Sequence, residues 1–142
     1  MVLPNISYCI NVWSHANVTN IRQLCVIYNR ICRNVLLVKQ RAMPAESLYS
    51  ELDWLNLHQT IKFHLSILAY KFINCLLSYE LRYPTFTYTL TQYPLRNNRN
   101  FRLPMYENSH SSQSITYRSS KIWNSLPEHI RNSNSLSAFK KI

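Results

Sequence analysis

The 142-residue chain contains no glycine. Glycine is the residue that reaches positive φ at no steric cost, so tight turns and helix ends here have to rely on Asn, Ser and Pro. The same absence excludes the glycine-rich loops that bring backbone N–H groups against a phosphate.

What remains to organise the chain is apolar spacing. The first periodic segment runs from about Thr19 to Val38, with Asn17 or Thr19 placed to cap a helix. At helical spacing Ile21, Leu24, Cys25, Tyr28, Ile31, Cys32 and Val35 share one face, while Arg22, Asn29, Arg30 and Arg33 gather on the other. One side reads as core and the other as a basic face. Cys25 and Cys32, two turns apart on the apolar side, read as buried thiols rather than metal ligands.

Pro44 opens a second helical pattern, Ala45 to Asp53, with Glu46 suited to a helix N-terminus and Leu48, Leu52 and Leu55 available to pack on the next helix. That third segment, Leu57 to Tyr79, carries Ile61, Leu65, Leu68, Phe72, Cys75 and Leu76 on a broad face. Phe63, Tyr70 and Leu77 recur every seven residues on another side, so the helix has two apolar faces to bury. His58 and His64 are six apart, a spacing that does not bring two rings together for a metal.

After Tyr83-Pro84 the pattern breaks. Pro84, Pro94 and Pro104 punctuate a stretch in which Phe86, Tyr88, Tyr93 and Phe101 alternate with Arg96, Arg99 and Arg102. Rings that stack on bases and guanidinium groups that pair with phosphates suit nucleic acid; aromatics that simply pack on the helices are an equal reading. A polar run from Asn108 to Ser114 follows. Ile115, Tyr117, Ile122, Trp123 and Leu126 then offer apolar anchors, and a short final helix over Ser135 to Lys141 docks through Leu136 and Phe139. The expected architecture is mainly α: a small domain with a helical core segment over 1–83, containing three main helices near 19–38, 45–53 and 57–79. A basic irregular arm over 84–114 and a short C-terminal helical segment over 115–142 complete it.

Charge narrows the function. Sixteen Lys plus Arg against six Asp plus Glu give a net charge of +10, more than solubility requires, and polyanions are the natural partners. No run of 18 or so apolar residues is present to span a membrane. Nucleic acid is the expected partner, with Arg22, Arg30, Arg33, Arg96, Arg99, Arg102, Arg118 and Lys121 as the contacting residues; the bland alternative is that these faces are merely solvated. Nothing points to a cofactor or a small-molecule ligand. Cys9, Cys25, Cys32 and Cys75 show no C-x-x-C spacing, and the N-terminal stretch lacks the basic and continuous apolar regions of a signal peptide. An intracellular, unsecreted chain is expected, in which the sequons at Asn5 and Asn17 carry little weight.

From Leu3-Pro-Asn-Ile-Ser-Tyr-Cys-Ile-Asn-Val-Trp13, through the basic helix and Arg102-Leu-Pro104, to Tyr117-Arg-Ser-Ser-Lys-Ile-Trp-Asn-Ser-Leu-Pro127 and Ser135-Leu-Ser-Ala-Phe-Lys-Lys141, the chain resembles the segment that follows the polymerase domain in LINE-type (non-LTR) retrotransposon reverse transcriptases of the jockey and CR1 kind. The Lys-Ile-Trp-Asn-Ser-Leu-Pro block is the most specific piece. Proteins of this kind usually carry Gly-Pro where Ser119 and Ser120 stand, and Gly where Ser14 stands. The resemblance implies an RNA-directed DNA polymerase whose Asp-Asp motif lies in the upstream domain, and a partner in that domain. Independently, two-metal DNA synthesis needs clustered carboxylates, and this chain has only Asp53 and five scattered glutamates. Its own expected role is therefore non-catalytic: a nucleic-acid-gripping appendage, a docking module of the polymerase, or a relic fragment without function.

Overall fold

The computed structural model of the chain describes residues 3–37, 43–78, 100–103 and 114–141. The fold is mainly helical. Among the described residues eight helices follow one another: α1 Leu3–Ser7, α2 Ile10–Trp13, α3 Val18–Val35, α4 Ala45–Leu52, α5 Leu57–Ile73, α6 Ile115–Ser125, α7 Glu128–Arg131 and α8 Leu136–Lys140. They fall into two compact units, Met1–Ile61 and Lys62–Ile142, and the division passes within α5.

In the first unit α3 begins at Asn17, whose side-chain oxygen accepts the Thr19 N–H at 3.4 Å, satisfying one of the donors a helix start leaves open. Its buried residues are Ile21, Tyr28 and Cys32, with Cys25 and Ile31 half-buried. Leu24 and Val35, expected in the core, are instead exposed, because the elements that pack on α3 cover a narrower stripe than its apolar residues span. Helix α4 lies on α3, not on the following helix as its position in the sequence suggested. Tyr49 of α4 stacks on Tyr28 with ring centroids 5.8 Å apart and donates its hydroxyl to Asn29 Oδ1, while Leu48 is fully buried. Tyr28 in turn donates to the Leu55 carbonyl at 2.9 Å, which pins the turn into α5 and leaves the Leu55 side chain outside.

Helix α5 opens on a reciprocal capping box: the Asn56 N–H donates to Gln59 Oε1 at 3.0 Å and the Gln59 N–H to Asn56 Oδ1 at 2.8 Å. It buries residues on more than one side, Leu57, Ile61, Leu65, Ile67, Ala69 and Tyr70 among them, as two apolar faces require. It stops at Ile73, short of the expected Tyr79. There the chain turns into the left-handed conformation at Cys75, the Leu76 N–H donating to Lys71 O and the Cys75 N–H to Phe72 O, the paired bonds of a Schellman ending. Cys75 and Leu76, expected on the helix's apolar face, are therefore exposed beyond its end.

The second unit is built around stacked rings. Trp123 of α6 is wholly buried, with Phe139 of α8 at 6.2 Å and Phe101 at 6.2 Å between centroids, and Tyr70 of α5 stacks on Phe139 at 4.6 Å. Such ring pairs contribute about 0.5–1.5 kcal/mol each beyond the area they bury. Ser114 and Ser135 cap α6 and α8, accepting the N–H of Tyr117 and Ala138. Ser14, Ser119 and Ser120 are all buried, so each stands at a place where a small side chain fits.

The expectation that Asn, Ser and Pro replace glycine holds for the helix starts at Asn17, Pro44, Ser114, Pro127 and Ser135. It fails where positive φ is needed: among the described residues those positions are Cys9, Leu37, Asp53 and Cys75, with φ between 49° and 56°. Backbone hydrogen bonds at the helix ends impose the angle whatever residue occupies the place.

Candidate nucleic-acid interface

Three of the candidate cations lie on α3. Arg22 and Arg30 are exposed and Arg33 is half-buried. Arg22 and Arg33 are eleven residues apart, which at 1.5 Å per residue is about 17 Å and returns to nearly the same face of the helix; Arg30 lies about a quarter-turn round. The stretch 3–35 holds no Asp or Glu, so nothing within α1, α2 or α3 neutralises them. Arg33 differs from the other two in that its Nε is sealed from solvent and meets no acceptor. Its guanidinium is fixed against the protein, with Tyr49 and Cys32 close enough to feel its charge.

Arg102, Arg118 and Lys121 belong to the second unit. Arg102 is exposed, and the residue before it is held firmly: the Phe101 N–H donates to Asn124 Oδ1 and Asn124 Nδ2 donates to Phe101 O, both at 2.9 Å. Lys121, exposed on α6, is three residues before Asn124 and so neighbours it on the helix surface. Arg118 is half-buried, and desolvation lowers its pKa below the ordinary guanidinium value. The structure thus carries the six described candidates on two separate units, three on each. Arg96 and Arg99 lie outside the described residues, as does most of the arm. Of the arm's aromatics, Phe101 is described, and it is 2% exposed: packing material rather than a free stacking platform.

Sequence reading missed Arg131, whose Nη1 donates to Asn100 Oδ1 at 2.7 Å, tying α7 to the short stretch that carries Arg102. It falls between Pro127 and Ser135, where no periodic pattern marks a helix. It also missed the pairing of Cys25 Sγ with His58 Nε2 at 3.6 Å; burial pushes the Cys25 thiol up from its ordinary value, which holds it protonated. His64 packs edge-on against Phe63. Among the described residues no three His, Cys, Asp or Glu side chains group as metal ligands, and no helix is long and apolar enough to cross a membrane.

No family model matches the chain, and no curated protein or solved structure matches it.

Proposed function

We propose that this chain binds nucleic acid without catalysing a reaction, as a segment of the kind that follows the polymerase domain in LINE-type reverse transcriptases, with that upstream domain as its protein partner. The observation that carries the reading is the run of Arg22, Arg30 and Arg33 on α3 within a stretch of 33 residues, 3–35, that holds no carboxylate, in a chain of net charge +10. Exposed arginines in a stretch that holds no carboxylate of its own can replace the counterions of a phosphate backbone. Such contacts position a strand and read no bases, so RNA and DNA single strands of different sequence bind with similar affinity.

The test is the salt dependence of oligonucleotide binding, followed by fluorescence anisotropy. Each phosphate contact to a single strand contributes about 0.7 to the slope of log affinity against log salt. Replacing Arg22 and Arg30 by Gln flattens that slope by about 1.4, and both are exposed, so the melting temperature stays where it was. An unchanged slope would sink the assignment. It would favour the second reading, a docking module of the polymerase, which the burial of Phe101 as packing material supports.

A further inference from the structure

Much of the apolar surface of the first unit is uncovered. Leu24 is 39% exposed and Ile27 52%, and with Ile31 they form one wall of a cleft of about 270 Å³. Ile6 of α1, Trp13 of α2 and Leu57 at the start of α5 supply the rest of its apolar lining. The indole N–H of Trp13 donates to the Tyr8 carbonyl at 3.0 Å, so the ring presents carbon to the cleft and its one polar atom is already paired. The hydroxyl of Tyr28, which also borders the cleft, is directed to Leu55 O.

Three features narrow the occupant. The volume falls below the roughly 300 Å³ at which small-molecule pockets begin, and suits a few aliphatic or aromatic side chains. The wall residues recur at i, i+3 and i+7 along α3, the ridge against which an amphipathic helix lays its own apolar residues. A nucleobase would bring polar edges into a lining where Asn5 is the one side chain with an unassigned polar group, and buried polar edges without partners are costly. Charge decides the rest. Arg30 immediately precedes Ile31 on α3 and is exposed, no carboxylate occurs in 3–35, and a second copy of a +10 chain would set cation against cation.

We propose that this cleft docks an acidic amphipathic helix of another protein, whose apolar side chains seat against Leu24, Ile27 and Trp13 and whose flanking carboxylates face Arg30, three residues on from Ile27 at the edge of that wall. Arg30 is shared with the proposed phosphate contacts, whereas the apolar contacts at Leu24 and Ile27 belong to the docking alone. The experiment titrates the full chain with a fluorescent helical peptide bearing Leu and Phe on one face and Glu on the other, beside a matched peptide with Lys for Glu. The acidic peptide binds saturably and the Lys peptide at least about tenfold more weakly, the change a lost charge pair produces at a docking face. Replacing Leu24 and Ile27 together by Ser weakens the acidic peptide by at least about 30-fold, the size of one hot-spot contact. The variant's melting and its affinity for a single-stranded oligonucleotide stay unchanged, and Ile27→Ser alone gives the same direction should the pair disturb folding. Equal binding of both peptides, or none, overturns the proposal. So does a loss of oligonucleotide affinity in the Ser variants, which would put nucleic acid in the cleft. Self-association that those variants abolish would overturn it too, by putting a second copy there.

Discussion

Asn124 on α6 closes both backbone hydrogen bonds of Phe101, accepting its N–H and donating to its carbonyl, each at 2.9 Å. A side-chain amide is here acting as a neighbouring strand would, holding an extended stretch against a helix. The clamp sets the depth at which the Phe101 ring meets Trp123 and Phe72.

Asn124→Ala removes both of those bonds at a buried residue. Each lost partner costs about 1–3 kcal/mol, so the variant is destabilised by about 2–6 kcal/mol in urea unfolding. Asn124→Gln, with the same groups one carbon further out, recovers little of it. Hydrogen exchange at the Phe101 amide is the direct readout. Protection equal to the parent's would mean that other contacts hold this backbone.

The left-handed residues give a second prediction. Positive φ costs a residue with a Cβ about 1–2 kcal/mol, less for Asp, while glycine adds some flexibility to the unfolded chain. Cys75→Gly and Leu37→Gly therefore stabilise by about 0.5–1 kcal/mol, and Asp53→Gly by less. Chemical denaturation of the three variants gives the order. Destabilisation by Cys75→Gly would show that its side chain matters more than its backbone angle.

Much of this was legible in the sequence where a local rule acts alone. Asn17 caps α3 as its spacing suggests, and Trp123, read from its apolar block, sits at zero exposure. The Asn56–Gln59 box went unread, although an Asn followed three residues on by a Gln ahead of an apolar run is the local signature of one. What could not be read depends on neighbours remote in sequence. Periodicity places Leu24, Ile31 and Val35 on one face, but which part of that face is covered is decided by α1, α2 and α4, and two of the three residues are left outside. In the same way the sequence shows eight candidate cations but not that the Nε of Arg33 is sealed from solvent. Nor does it show that Arg131, which carried no motif, would reach Asn100.

Stability should peak between mildly acidic and mildly alkaline pH. Burial, then the neighbouring Cys32 and Tyr49, pushes Tyr28 from 10.0 up to about 12. The folded state holds this phenol neutral, so its contribution is complete below pH 10 and is lost as the pH rises from there toward 12. Burial and the charge of Lys140 lower His64 below 6.5. The folded state there prefers the neutral ring, so stability is complete above pH 6.5 and declines as pH falls below it. Thermal melts across pH should show both shoulders. Tyr28→Phe, which removes the ionisable group, reduces the alkaline one; an unchanged alkaline limb would place its cause at the buried thiols.

Arg102 and Arg131 test whether the cations of the second unit are free or engaged. Arg131 donates to Asn100 through Nη1, and its Nε is buried without an acceptor, so its guanidinium is committed to the fold. Arg102, two residues after Asn100, is exposed beside a clamped backbone. Arg131→Gln should therefore lower stability by about 1–3 kcal/mol, the range for a lost bond to a charged donor, while changing the salt slope of oligonucleotide binding little. Arg102→Gln should leave the melt in place and flatten that slope by about 0.7 if it meets one phosphate of a single strand. Measuring both properties on both variants separates structural cations from contacting ones. If Arg102→Gln leaves the slope untouched while Arg131→Gln flattens it, the two roles are reversed, and the strand would run along α7 rather than beside the Phe101 clamp.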